Sequence, residues 1–295
     1  MKGVGIMNSA KPNTPLRSVL ITGASTGIGE ACTLHLAARG WRVLAGVRRD
    51  ADGRALVSKA SGNVLPILLD VTEQADIDAA AAHIGEVVGD AGLHGLFNNA
   101  GIGVGGPLEF LPVGMILQQF QVNVFGAIAV TQAFLPLVRR ARGRILFTSS
   151  NSGFWCEPFL SVYGGTKHAL EAIGDSLRVE LRPWGIHVAL IEPGTIKTPI
   201  WDKARQSAAN APGLLPEEAL KLYAAPLEAL RRMVQKPPAI AASPRRVALA
   251  AQHALESRRP KTRYRVGIDS RLQFYLRHLM TDRMRDRLAM MIMGL

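Results

Sequence analysis

The chain has 295 residues, 48% hydrophobic and 20% charged, which suits one large α/β domain or two small ones. No run of about 18 apolar residues appears, which argues against a transmembrane helix. The net charge of +12 gathers after Ser243, where twelve Lys and Arg stand against four Asp and Glu; no helix-turn-helix, zinc-finger or RNA-binding signature accompanies it, so no nucleic-acid partner is expected.

Residues 1–16 lack the sustained apolar centre of a secretory signal and read as a flexible leader. Six short apolar runs follow: SVLIT (18–22), WRVLAGV (41–47), NVLPILL (63–69), GLFN (95–98), RILFT (144–148) and HVALIE (187–192). They are mostly continuous rather than alternating, as expected of strands covered on both faces. Helical patterns separate them, among them GEACTLHLAARG, IDAAAAHIGEVVG and a long stretch from about Pro112 to Arg140. Strand–helix alternation of this kind implies a doubly wound parallel sheet with right-handed crossovers. From Thr198 to about Lys236 the rhythm stops, and Pro212, Pro216, Pro226, Pro237 and Pro238 break any long helix. PRRVALAAQHALES then reads as a helix, RYRVG (263–267) as a seventh strand, and the remainder as a basic amphipathic end. Cys32 and Cys156 are too few for a disulfide framework and belong to no metal-spacing motif, so a reducing cytoplasm and no metal are expected.

LITGASTGIGEA places Gly23, Gly27 and Gly29 after a strand and before a helix. Glycines there permit a tight turn and close approach of a pyrophosphate to the N–H groups of the helix start. With Thr22 before it and the spacing GxxxGxG, the segment is narrower than a generic glycine turn. TGASTGIG, FNNAG (97–101) and YGGTK (163–167), occurring in that order, resemble the short-chain dehydrogenases/reductases over roughly Arg17 to Thr198. The sub-pattern GGPLEF…VNVFG…IEPGTIKTPIWDK is similar to their retinol dehydrogenase and 17β-hydroxysteroid dehydrogenase branch. The resemblance implies a single Rossmann domain over 17–268, with a helical lid near 198–240 and an extension at 269–295. It also implies cofactor contacts from Ser25, Thr26 and Ile28 beside the three glycines, from Asp70 and Val71, and from Asn99, Ala100 and Gly101 next to Asn98. Further contacts are implied for Pro193, Gly194, Ile196 and Thr198.

Tyr163 and Lys167 are four apart, on one face of a helix. A free tyrosine titrates near ~10, and acid–base work at neutral pH asks for a shift of about 3 units, about 4 kcal/mol. One cation at ~4 Å supplies on the order of 4 kcal/mol at an effective dielectric near 20. Lys167 is therefore expected to bring the phenol down into working range. By resemblance, Ser150 would hold the substrate oxygen, and Asn123 would hold a water linking Lys167 to solvent. Tyr163 would move the proton while a nicotinamide cofactor moves the hydride.

In WRVLAGVRRD the second strand ends without a carboxylate, and Arg48 and Arg49 follow. Arginine grips a ribose phosphate bidentately, which favours NADP(H); Asp50 leaves NAD(H) open. The substrate side is apolar: Phe154, Trp155, Phe159 and Leu160, with Ile200, Trp201, Leu214, Leu215, Leu222 and Tyr223 from the segment expected to cover the cleft. Such a lining favours a lipophilic steroid-, retinoid- or long-chain-like alcohol or ketone. Carrier-linked ketoacyl reduction and a non-catalytic dinucleotide-binding regulator are the alternatives. Leu272, Tyr275, Leu276, Leu279 and Met280 lie at helical spacing among Arg271, Arg277 and Arg283, a pattern that suits peripheral membrane contact or packing on the domain or a partner. The resemblance further implies a homodimer or homotetramer formed through the long helices bearing Asn123 and Tyr163.

Overall fold

The computed structural model describes residues 16–202, 204–206, 209, 215–235 and 239–293. The expected leader up to residue 15, Leu214 and three of the lid prolines (Pro212, Pro237 and Pro238) lie outside the described residues. Seven parallel strands form one sheet in the order β3-β2-β1-β4-β5-β6-β7. They are β1 (Ser18–Ile21), β2 (Arg42–Val47), β3 (Val64–Leu68), β4 (Gly95–Asn98), β5 (Arg144–Thr148), β6 (His187–Pro193) and β7 (Arg263–Val266). The order reverses between β1 and β4, so a crevice opens at their carboxyl ends, where doubly wound sheets bind ligands.

Why the strands read as apolar runs is visible in β1. Val19 and Ile21 enter one core and Leu20 the other, and all three are fully buried. The first core is closed by α1 (Gly27–Ala38), α2 (Asp50–Lys59) and α9 (Pro244–Glu256), through Cys32, Leu36, Leu56, Val247 and Ala251. On the opposite face lie α3 (Gln74–Val88), the paired helices α4 (Val113–Phe120) and α5 (Gly126–Ala141), and α6 (Ser161–Glu180). Among the described residues, 113–141 is the one helix long and apolar enough to span a membrane. Its apolarity has another use, since Ala127, Val130, Phe134, Leu137 and Val138 pack against the sheet.

Two elements differ from the sequence reading. The long helix is not uniform: residues Gln121–Phe125 make a π turn, which widens the helix at Asn123. The basic end is two helices, α10 (Ile268–Leu279) and α11 (Asp282–Met293), because the backbone leaves the helix at Met280 and Thr281 restarts it by accepting from the N–H groups of Met284 and Arg285. Between β6 and α9 the described residues include helical stretches at 200–202 and 204–206 and two helices, α7 (Glu217–Leu222) and α8 (Ala224–Gln235), joined at Tyr223.

Candidate active site

The turn after β1 is built for close approach. Gly23 and Gly27 adopt φ of 63° and 61°, the left-handed region that costs other residues strain. A Cβ on Gly23 would sit 2.9 Å from the Ala100 Cα, and one on Gly29 would fall onto the Gly23 carbonyl oxygen. Thr198 stands over the same turn, its side chain 3.3 Å from where a Gly27 Cβ would be. Thr26 takes the extended N-cap position of α1 with no side-chain cap; Ser25 precedes it and Ile28 lies in the first turn of the helix. The loop after β4 is bonded to this turn. The Thr22 hydroxyl accepts from Asn99 and Ala100 N–H, each at 3.0 Å; Asn99 Nδ2 donates to the Thr22 carbonyl, and Thr148 Oγ1 donates to Asn99 Oδ1. Asn98 turns the other way and donates to Thr131 Oγ1.

Asn123 is 1% exposed and bonded on every side. Its Oδ1 accepts from Ile102 N–H at 2.8 Å, and its Nδ2 donates to the Ile102 carbonyl and to Thr166 Oγ1. One turn earlier, buried Gln119 accepts from Val104 N–H. The pair clamps the 102–104 loop to the long helix, and the π turn aims Asn123 at it. Gly101 closes the space between: a Cβ there would lie 3.3 Å from Asn123 Oδ1 and 3.8 Å from Lys167 Nζ.

Ser150 leaves the end of β5, and Tyr163 and Lys167 rise from the first turns of α6, so the three meet at the carboxyl edge of the sheet. Lys167 Nζ donates to the Thr148 carbonyl at 2.8 Å and lies 5.5 Å from the centre of the Tyr163 ring. The expected electrostatics are corrected here. Burial pushes the Tyr163 phenol above its ordinary value; the Ser150 hydroxyl pulls it back, and the charge of Glu157 pushes it up again. Lys167 is itself pulled down to about 8 by burial, with Glu171 opposing. An ammonium at the phenol oxygen, with no loss of water, would lower the phenol. In the folded chain the ammonium is committed to a backbone carbonyl, and desolvation dominates.

At the adenosine side, β2 ends in Val47 with no acidic residue before Asp50, and Gly46 is buried against Ile21 and Leu69. Arg49 does not present a free fork: Nε and Nη2 bond both oxygens of Asp52, at 2.9 and 2.8 Å. Arg48 is exposed beside it, and Asp50 pairs with Arg54 along α2. Asp70 accepts from the N–H and hydroxyl of Thr72, while Val71 is buried where Gly126 leaves room for it. Pro193 ends β6, and Gly194 N–H bonds the Val266 carbonyl. Ile196 bridges to Ala242, and its carbonyl accepts from Trp201 Nε1.

The apolar lining divides. Phe154 and Trp155 are buried in packing, Phe154 edge-on to Phe274 and Trp155 under Arg285. Phe159 takes a left-handed φ of 64°, held by Gly106 N–H on its carbonyl, and meets Tyr223 edge-on, as Phe110 does. Leu160 lies against the Gly105 backbone, and Trp201 and Leu215 are half-buried, whereas Ile200 and Leu222 are exposed. Sequence reading missed a polar relay. Ser150 Oγ donates to Asn151 Oδ1, Asn151 Nδ2 to Gln273 Oε1 at 2.6 Å, and Gln273 Nε2 to Glu157 Oε1 at 3.2 Å. It also missed Asp269, whose carboxylate accepts Thr195 N–H and occupies the space a Gly194 Cβ would need. The signal for Glu157 was present, a single acid inside FWCEPFL; Asp269 and Gln273 arrive from a distant helix and left none.

A glycine cradle that any Cβ would fill, a helix start behind it and a Tyr/Lys/Ser cluster at the same sheet edge fit a bound dinucleotide. Residues 17–209 match the family model described as short chain dehydrogenase. The chain is a short-chain dehydrogenase. It is 34% identical over 278 residues to the NADPH-dependent 3-dehydrocapnine reductase of Ornithobacterium rhinotracheale, covering 92% of this chain and 96% of that one. It is 37% identical over 276 residues to retinol dehydrogenase 7 of Rattus norvegicus, covering 88% and 82%. A crystal structure of a short-chain dehydrogenase from Streptomyces avermitilis superposes with a TM-score of 0.75 at 28% identity, covering 93% and 95%. As a short-chain dehydrogenase, the chain is an oxidoreductase that acts on CH–OH or carbonyl groups with a nicotinamide cofactor, and it resembles the retinol dehydrogenase branch.

Proposed function

We propose that this short-chain dehydrogenase interconverts an alcohol and a carbonyl on a lipophilic, steroid-, retinoid- or long-chain-like molecule, using NADP(H). The observation that carries the reading is the meeting of Ser150, Tyr163 and Lys167 at one sheet edge, Lys167 Nζ lying 5.5 Å from the phenol ring. In reduction, Tyr163 gives its proton to the developing alkoxide and Ser150 holds the oxygen. Lys167 keeps a positive charge beneath the ring, and Asn123 fixes the loop that faces it. The glycine turn with Ser25, Thr26 and Ile28, the residues Asp70, Val71, Asn99, Ala100 and Gly101, and the Pro193–Thr198 segment hold the cofactor. When bound, it supplies the hydride. Preference for NADP(H) is supported by the missing carboxylate after β2, by exposed Arg48 and by the name of the reductase relative. The lipophilic substrate is supported by Phe159, Leu160, Trp201 and Tyr223 and by the retinol dehydrogenase relative.

NADPH oxidation screened against steroids, retinal and aliphatic ketones, with NADH as control, tests the reading. Turnover with lipophilic ketones and NADPH is expected; turnover with no member of the panel contradicts it. Exposed Leu272, Tyr275 and Leu279 beside Arg271 and Arg277 support peripheral contact with an anionic membrane, where such substrates reside. Flotation with vesicles containing phosphatidylserine, but not with phosphatidylcholine alone, is expected; equal recovery with both, or none, contradicts it. Exposed Leu117 and Phe125 on the helix bearing Asn123, and Val179 on α6, support pairing of subunits there.

A further inference from the structure

Ser150 takes its orientation from a part of the chain that lies outside the family match, which ends at residue 209. Its hydroxyl has one proton and two lone pairs. Oγ accepts from Ser152 N–H at 3.1 Å, and the proton goes to Asn151 Oδ1 at 2.9 Å. Ser150 and Asn151 are both buried, at 7% and 9% exposure. Asn151 must itself be held, because a loose side-chain amide can turn either end toward the serine. Its Nδ2 donates to Gln273 Oε1 at 2.6 Å, in the second turn of α10.

The sense of the Gln273 amide is fixed from its far end. Its Nε2 donates to Glu157 Oε1 at 3.2 Å, and a carboxylate only accepts. Gln273 therefore keeps its carbonyl end for Asn151, and Asn151 keeps its own carbonyl end for Ser150. One orientation, set in the loop before Tyr163, is passed along two amides to the serine. Helix α10 is anchored on both sides of Gln273. Ser270 is fully buried and its Oγ donates to the Glu192 carbonyl at 2.8 Å, while Asp269 accepts Thr195 N–H. Phe274 meets Phe154 edge-on, with ring centres 5.8 Å apart. The amide is thus delivered to a defined place beside the 150–157 segment.

We propose that Gln273 is a positioning residue for the reaction: acting through Asn151, it holds the Ser150 oxygen in place, so that the C-terminal extension is part of the active site. This rests on the reading of Ser150 as the group that holds the substrate oxygen. When Ser150 turns its proton to that oxygen, Ser152 N–H still holds Oγ, and Gln273 keeps Asn151 from following the proton. Without Gln273, Asn151 is free to turn, and the serine loses the partner that selects one of its staggered side-chain rotamers. A misplaced Oγ then costs rate although no reacting group has been removed.

Steady-state kinetics with NADPH and the best ketone of the panel test this. Gln273→Leu keeps the bulk and removes both hydrogen bonds. It is expected to lower kcat/KM about ten-fold, the scale of one side-chain hydrogen bond, with the Kd for NADPH within about three-fold of wild type as proof of folding. In an Asn151→Ala background the same substitution is expected to cost less than about two-fold, because the link it serves is already cut. Gln273→Glu alone should fall as Gln273→Leu does, since it sets two carboxylates against each other. Adding Glu157→Gln reverses the donor while leaving an acceptor for Asn151, and should restore kcat/KM to within about three-fold of wild type; this exchanged pair decides alone if the leucine variant does not fold. A Gln273→Leu loss as large in Asn151→Ala as in wild type, no loss, or no recovery in the exchanged pair overturns the proposal and leaves the oxidoreductase reading standing. Failure of wild type to turn over any ketone overturns that reading instead. The Asn151 side-chain amide, followed by nuclear magnetic resonance in the chain carrying isotope-labelled asparagine, then still reports the link: its signal is expected to move and its exchange to quicken in Gln273→Leu, and an unmoved signal overturns the link.

Discussion

At the residue scale, the two arginines after β2 look interchangeable in sequence and are not in the fold. Arg49 spends its fork on Asp52, which also lies in the first turn of α2, and that pairing raises the arginine and lowers the carboxylate. Arg48 is exposed and forms no ion pair among the described residues. Arg48→Ala is therefore expected to raise the KM for NADPH about ten-fold and leave that for NADH nearly unchanged, the scale of one charge-assisted contact. Arg49→Ala should do less, and the reverse ranking in steady-state kinetics contradicts the assignment. The pairing of Tyr163 with Lys167 was legible from helical spacing, whereas Ser150 was singled out only through the family resemblance. The sign of the Tyr163 shift was not legible, because it depends on burial and on Glu157, and a linear pattern records neither.

At the element scale, the glycines of the first turn and those of helix surfaces have opposite roles. An alanine Cβ at Gly29 would meet the Gly23 carbonyl, Asn99 Nδ2 and the Ala24 Cα, two of them backbone, so the turn must shift. A Cβ at Gly114, in the first turn of α4, meets nothing within 4 Å. Gly29→Ala is expected to cost roughly 2–3 kcal/mol in chemical unfolding and to abolish NADPH binding at micromolar concentrations. Gly114→Ala should be stabilising by up to about 1 kcal/mol with binding intact; equal behaviour of the two variants contradicts the close-approach argument. Six of the seven strands were readable as short apolar runs, as in β1, which is covered on both faces, whereas β7 alternates arginine with buried Tyr264 and Val266. Helix α2 escaped because DADGRALVSK buries little beyond Leu56 and carries Gly53 where a Cβ would crowd Pro66. The break between α10 and α11 escaped for a related reason, since the apolar spacing continues through a turn that Thr281 sets locally.

At the scale of the whole molecule, the basic charge of the last fifty residues is partly structural. Arg263 and Arg265 on β7 serve three carboxylates, Glu171 and Asp175 on α6 and Glu192 on β6. Arg178 also pairs with Asp175, so three arginines meet three carboxylates, yet Glu192, 1% exposed, is held off balance: burial and Glu171 push it up to about 7 against the pull of Arg265 and Arg263. A group raised in the folded state stabilises fully below its unfolded pKa and loses that contribution as pH rises through the folded one. Relative to Glu192→Gln, the wild-type chain should lose on the order of 3 kcal/mol between about pH 4.5 and 7. Urea unfolding of both proteins across that range checks it, and a wild-type advantage that grows with pH contradicts it. The network was invisible in sequence because its members come from three elements, brought together by the pairing of β6 with β7. Above this support lies the reacting edge itself, and its central claim is that the Tyr163 hydroxyl delivers the proton. The most direct test is Tyr163→Phe, assayed by NADPH oxidation with the best ketone of the panel and by NADPH fluorescence on binding. Turnover is expected to fall at least about a thousand-fold while the Kd for NADPH changes less than about three-fold; turnover within ten-fold of wild type contradicts the account.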